Sequence, residues 1–451
     1  MTSSRNCTLT LPYAIWFTLI GLMVYGDAWA QRNRRVARER SPRQELIYDN
    51  HSYLPVIRSV QFHPQGEEAA LPVIDMGAPS PLLLSFDDLR GDVRNYYYSI
   101  EHCTHDWQSS NLSPLEYVEG FNEDRVMTFQ SSVNTLQAYT NYQLELPSRQ
   151  VKPKLAGNYL LKVYEDADKR RLVLTQRFYV VRPVFSVLGE IVPSNNTMKR
   201  ASNQKINLTV QTGSQVVNNP HQQVQVLVMQ NQRPDVQMWI RSPSHMQEGT
   251  IQYRDMATLD FAGGNEFRYV DLRSLRLASE RVREIYRDSL IQVELMPDQA
   301  TAGQSYGSLF DEDGAFYLDN QDRPHAPEES DYAQVRFKLA LDPQASDRLN
   351  ENSLAQSGIY VVGAFNHYQR TAENRLQYNS ETDQWEVTLP LRQGLYNYEY
   401  VLEEPDSGFS PFHFSGSYFQ TGNTYQVLVY FRRPGTTWDE IAAYQLLRSR
   451  D

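Results

Sequence analysis

Apolar and polar residues alternate over short runs from residue 51 to residue 431, and turns rich in Pro, Gly, Asn and Asp separate the runs. A period of two places successive side chains on opposite faces of a strand, whereas a helix needs a period of about 3.6. The run YTNYQLEL at 139–146 sets Tyr139, Gln143 and Glu145 on one face and Tyr142 with its even-numbered neighbours on the other. The same reading predicts strands over 51–62, 82–86, 96–101, 157–164 and 175–181, with a charged hairpin turn at Asp166 and Asp168. Arg182-Pro183 then breaks the ladder, because proline has no backbone N–H to donate.

A second set of strands is predicted over 206–210, 224–229 and 251–254, with a turn at Asn218-Asn219-Pro220. Gly263-Gly264 reads as a turn or bulge, since no Gly-Lys-Ser/Thr follows as a phosphate loop requires. Residues 272–289 lack a clean helical period and read as paired strands. Asp313-Gly314 reads as a hairpin turn, because Leu309 stands where a calcium loop would need its first Asp. After a polar linker at 319–330, a third set is predicted over 332–339, 358–365, 384–389, 395–402 and 424–431. The expected fold is all-β: three consecutive immunoglobulin-like or early-set β-sandwich domains over 46–183, 184–327 and 328–451.

Composition supports this class, with 29 Tyr and 12% aromatic residues overall. Residues 1–30 read as a secretory signal peptide: Arg5, an apolar run over 11–25, and small residues Ala28 and Ala30 predict cleavage between Ala30 and Gln31. Residues 31–45 then form a flexible basic tail. Cys7 falls in the signal, so Cys103 alone remains and an intrachain disulfide is excluded from the mature chain. A net charge of −11 argues against nucleic acid as a partner.

The sequence has no H-E-x-x-H, paired C-x-x-C or Walker loop. Candidate chemistry is confined to 96–132, where His102, Cys103, His105 and Asp106 lie together. On a strand, 103 and 105 share one face while 102 and 106 share the other, so one metal would require a sharp turn. A thiol nucleophile at Cys103 is the catalytic alternative. The packing alternative has Cys103 and Trp107 filling a sandwich core while His and Asp bond turn backbone. Residues 361–368 (VVGAFNHY), Trp385 and the aromatic strand at 395–401 resemble a starch- or glycogen-binding early-set module, with Tyr368 in place of its tryptophan. This leaves an exported carbohydrate-binding protein as the alternative function.

One series of residues runs in order along nearly the whole mature chain. It comprises Tyr98 to Cys103 (with His102), Asp106-Trp107, Ser110, Glu116-Tyr117, Gly120-Phe121, Asn134-Thr135, Tyr139, Tyr142 and Leu146-Pro147. Gly157-Asn158-Tyr159, Gly264-Asn265-Glu266-Phe267-Arg268, Asp331-Tyr332 and Arg392-Gln393-Gly394 continue it. This series resembles the type IX secretion system plug proteins of Bacteroidota, with Tyr368 and residues 414–417 as departures. The resemblance implies a periplasmic, non-enzymatic protein without cofactor, metal or small-molecule substrate, peripheral to the outer membrane and monomeric within a hetero-complex. It would dock on the periplasmic mouth of the outer-membrane translocon barrel and seal the pore while no substrate is engaged. It implies structural roles for the motif residues and assigns no residue to translocon contact.

Overall fold

In a computed structural model, residues 40–341, 358–404 and 408–450 are described. The expected cleavage site at Ala30 and Gln31 and residues 31–39 of the expected tail lie outside them. From Arg43 onward the chain is one unit by its internal contacts, and everything below concerns that unit. It is built almost wholly of strands arranged in packed sheets. Among the described residues, no helix is long and apolar enough to cross a membrane.

The first lobe packs the sheet of Ile57–Pro64, Leu82–Asp88, Thr140–Leu146 and Thr128–Ser131 against Tyr96–Cys103, Gly157–Glu165 and Leu172–Val181. Its core joins Leu84, Phe86 and Tyr142 from one sheet to Tyr98, Tyr159 and Phe178 from the other. The predicted alternation is present over 140–146, with Thr140, Tyr142, Leu144 and Leu146 buried and Gln143 and Glu145 exposed, whereas Tyr139, expected on the face of Gln143 and Glu145, is buried and donates to the Ser330 carbonyl. Each fully buried large apolar side chain of this kind contributes about 1.5–3 kcal/mol.

The remaining cores do not follow the expected ranges 184–327 and 328–451. In the second lobe, Ser186–Pro193, Asn203–Gln211 and Thr250–Tyr253 pack against a sheet in which Val224–Gln230 pairs with Thr424–Phe431, and that strand with Glu440–Arg448. The C-terminal strands therefore complete the middle lobe. The third lobe recruits residues assigned to the middle one: Arg268–Asp271 and Phe316–Leu318 pair with Gly394–Glu404, and Ile291–Leu295 runs parallel to Tyr332–Ala340. The physical reason is that an open sheet edge and an uncovered apolar face are satisfied by any strand of the right pattern, wherever it lies in sequence. Residues 272–289 supply one strand, Val282–Arg287, paired with Ile291–Leu295 and preceded by loop. The strand expected over 358–365 stops at Val362 and gives way to a short 3-10 turn at Ala364–Asn366.

First and second lobes also share a sheet. Val181 of Leu172–Val181 bridges in parallel to Ile441 of Glu440–Arg448, giving a ten-stranded sheet. Strands in its middle are covered on both faces and so read as continuous apolar runs. In Val224–Gln230, Val224, Val226 and Val228 enter the second core. Leu227 and Met229 instead join a cluster with Tyr179, Val181, Leu428, Tyr430 and Ile441.

Candidate functional site

The corner after Tyr96–Cys103 is placed by the period of that strand. His102 lies opposite Tyr159 in the pairing and takes the core side with Tyr98 and Ile100. Its ring meets Tyr159 edge-on at 5.1 Å, and its Nε2 lies 3.4 Å from the carbonyl of Ala156. A Cβ at residue 157 would stand 2.6 Å from that nitrogen, and Gly157 has φ +143, so glycine is required there. Burial pulls the His102 pKa down to about 4, which keeps the imidazole neutral at neutral pH.

Cys103 consequently points to the opposite face. It is buried there, and burial, reinforced by Glu101, pushes its thiol up to about 12. A thiol so protonated is a poor nucleophile and metal ligand. The expectation that Cys103 and Trp107 fill the sandwich core is corrected: His102 occupies the core position, and Trp107 belongs to the cluster between the first two lobes. Trp107, at φ +60, packs edge-on against Tyr179 at 5.5 Å with the Arg177 guanidinium 4.4 Å over its ring. Asp106 is exposed and accepts from the Thr104 hydroxyl, which holds the turn. His102 makes no turn bond of this kind.

The corner docks on the second lobe. His105 Nδ1 lies 2.9 Å from Asp439 Oδ2, and Arg432 Nη2 donates to the same oxygen at 2.7 Å. Burial opposes ionisation of Asp439, yet His105 and Arg432 hold its carboxyl below the usual range. Asn158 Nδ2 donates to the carbonyls of Thr104 and His105, and its Oδ1 accepts from the Tyr430 hydroxyl at 2.9 Å. Thus the stretch that carried candidate chemistry is a joint between lobes.

Two further joints have the same character. Between first and third lobes, Arg392 Nη1 donates to Asp87 Oδ2 at 3.1 Å and Tyr332 OH donates to the same oxygen at 2.7 Å. The Arg392 guanidinium also lies 4.8 Å over the Tyr139 ring. Asn134 Nδ2 donates to Glu329 at 3.2 Å, and the Leu136 and Gln137 amides donate to Asp331. Gln393 closes this region, exchanging backbone and side-chain bonds with Asp331, while Gly394 lies where a Cβ would stand 2.4 Å from the Tyr317 carbonyl.

Between second and third lobes, Arg233 is fully enclosed, with Nη1 donating to Glu399 at 2.6 Å, Nη2 to Asp235 at 3.0 Å, and Tyr368 beneath it at 4.7 Å. Burial alone would lower the Arg233 pKa, but the two carboxylates raise it; burial pushes Glu399 upward even with Arg233 beside it. Gly263-Gly264 begins the crossing from the second lobe to the third, and a Cβ on Gly263 would stand 2.1 Å from the Tyr418 carbonyl. Asn265 Nδ2 donates to the Ser415 carbonyl, Glu266 accepts from Tyr306 and Arg450, the Phe267 amide donates to Asp311, and Arg268 donates to the Gln299 carbonyl.

The aromatic residues considered for sugar binding do not form a platform. Tyr368 and Trp385 are buried, the first under Arg233 and the second in the third core. Gly120 ends the short strand Val118–Gly120, paired with Val151–Pro153, and Phe121 after it is 63% exposed. A cleft of about 840 Å³ between the lobes is lined by Trp107, Arg177, Tyr444 and Arg448, with Asp311 and Asp313 on its wall. Burial pushes Asp311 up to about 7 and Asp313 up to about 6. Among the described residues, no group of three or more His, Cys, Asp or Glu is arranged to hold a metal ion.

Sequence reasoning marked the motif residues, Arg392 among them, but not Asp87, Arg233, Glu399 or Asp439, which carry the joints with it. A charged residue inside an apolar strand, such as Glu399 within LYNYEYVL, is the signal that could have found them, since burial of a lone charge is prohibitive.

Comparison with known proteins bears on this chain in two ways. Residues 57–182 match the family described as the type 9 secretion system plug protein 1st domain. A crystal structure of a hypothetical protein from Parabacteroides merdae ATCC 43184 is similar over 90% of this chain and 100% of that one, with 28% identity and a TM-score of 0.83. No curated protein matches.

Proposed function

We propose that this chain, whose residues 57–182 form a type 9 secretion system plug protein first domain, seals the periplasmic mouth of the outer-membrane translocon barrel while no substrate is engaged. The observation that carries the reading beyond the family is mechanical. Three sandwiches are locked together by buried ion pairs and a shared sheet, so they act as one broad body. Protein interiors are close-packed and yield little to pressure, which is what a stopper for a wide pore needs. The chain acts by binding and obstruction, without a catalysed reaction, cofactor or bound small molecule. Its partner is the translocon barrel, and its place is the periplasm at the inner face of the outer membrane. The interface is reversible and so of polar and aromatic character.

Two measurements test this. The chain is expected to co-purify with the translocon barrel, and its deletion is expected to make the outer membrane permeable to large hydrophilic solutes. Absence of both association and leak overturns the reading.

A further inference from the structure

One edge of the first lobe is unfinished. Thr128–Ser131 ends its four-stranded sheet, bonded on one side to Thr140–Leu146, and all four of its residues are exposed. Phe129 lies opposite Tyr142, and side chains directly opposite share a face, so Phe129 continues the inner, core-lining face past the last strand. Its ring lies 5.9 Å from that of Tyr142 yet is 43% exposed, and Met127 beside it is 69% exposed. The core of this lobe therefore runs out to an uncovered margin.

Two other edges carry devices that discourage pairing. Ile57–Pro64 has a register shift after Arg58, a positive φ at Ser59 and a terminal proline; Val282–Arg287 has a register shift and carries Arg283, Glu284 and Arg287. Thr128–Ser131 has neither charge, proline nor bulge. The absence of charge is local: from Val126 to Leu144 no residue is charged, in a chain that is 22% charged with a net charge of −11. A neutral sheet edge with an uncovered apolar margin, on an otherwise acidic protein, presents a surface complementary to a neutral strand. A charged segment would lose hydration there and find no counter-charge on the edge strand itself.

We infer that Thr128–Ser131 is a docking edge for an extended, uncharged segment of the translocon partner, which adds to the sheet as a further strand and covers Phe129 and Met127. Backbone hydrogen bonds to the open edge supply affinity, and apolar side chains at alternate positions of the incoming strand supply register. The inference deepens the plug reading by naming where the partner docks, and rests on that reading for the partner's identity.

The test places a photoreactive p-benzoylphenylalanine at Gln130 in the full chain within cells that carry the secretion system, beside the double variant Thr128→Lys, Gln130→Lys. Both positions are exposed, so the lysines leave the thermal midpoint unchanged while blocking strand addition. Irradiation is expected to yield an adduct that maps to an uncharged, strand-length segment of the translocon barrel. The lysine variant is expected to recover at least ten-fold less translocon, whereas the control Met256→Lys, at an exposed site on another lobe, recovers as much as wild type. If wild type and the lysine variant co-purify equally and no adduct forms, the docking edge is overturned and the plug reading stands. An adduct with a second copy of this chain overturns the proposal in favour of self-pairing. If wild-type protein does not associate with the translocon at all, the plug reading falls and the proposal falls with it.

Discussion

Arg233 shows how single residues hold the lobes together. Its guanidinium has 1% of its side chain exposed and is shared between Glu399 of the third lobe and Asp235 of its own loop. Arg233→Ala would leave Glu399 buried without its cation, at a cost of about 3–5 kcal/mol in urea unfolding. Arg233→Lys should recover little of this, because an ammonium cannot reproduce the two-armed geometry. Asp313 acts in the other direction. Burial raises it from the ordinary 3.8 to about 6, so the folded protein holds a proton that the unfolded chain releases. Stability is therefore lost as pH rises from about 4 to about 6, and the penalty persists above that window. Asp313→Asn, which also tolerates the positive φ there, should stabilise the protein on the order of 1–3 kcal/mol at pH 8 and have no such effect below pH ~4. Thermal midpoints of both proteins across pH check the sign.

At the scale of elements, Glu440–Arg448 matters most. It pairs with Thr424–Phe431, touches Val181 of the first lobe, and sends Ile441 into the inter-lobe cluster and Ala442 and Ala443 into the second core. Truncation after Gly435 should unfold the second lobe and loosen the first, giving rapid proteolysis and loss of near-ultraviolet circular dichroism. A truncated chain as protease-resistant as wild type would contradict this. Legibility in the sequence followed burial. Thr140–Leu146, with one wet face, shows clear alternation; Glu440–Arg448, covered on both faces where it begins, does not, and no strand is predicted beyond residue 431.

For the whole molecule, shared strands mean shared folding. Segments 184–327 and 328–451 expressed alone each lack strands that close their cores, so both should be insoluble or unfolded by circular dichroism. The intact chain should unfold in one calorimetric transition, with a calorimetric enthalpy matching the van't Hoff value. Separate transitions, or folded isolated segments, would show that the lobes are independent. This cooperativity is what the proposed stopper relies on.

By itself the sequence determined the strands with one covered face, the all-β class and the resemblance to plug proteins, because alternation, turn chemistry and motif order are local properties of the chain. Tertiary structure alone decided how the strands are divided among the three cores and what the His102 to Trp107 corner does. The deciding pairs are remote: Arg233 and Glu399 are 166 residues apart, Asp87 and Arg392 are 305 apart, and His105 and Asp439 are 334 apart. Which of many open edges and buried charges satisfy one another is settled only when the whole chain packs, since each gains its stability from desolvation by a partner that its own neighbourhood does not specify.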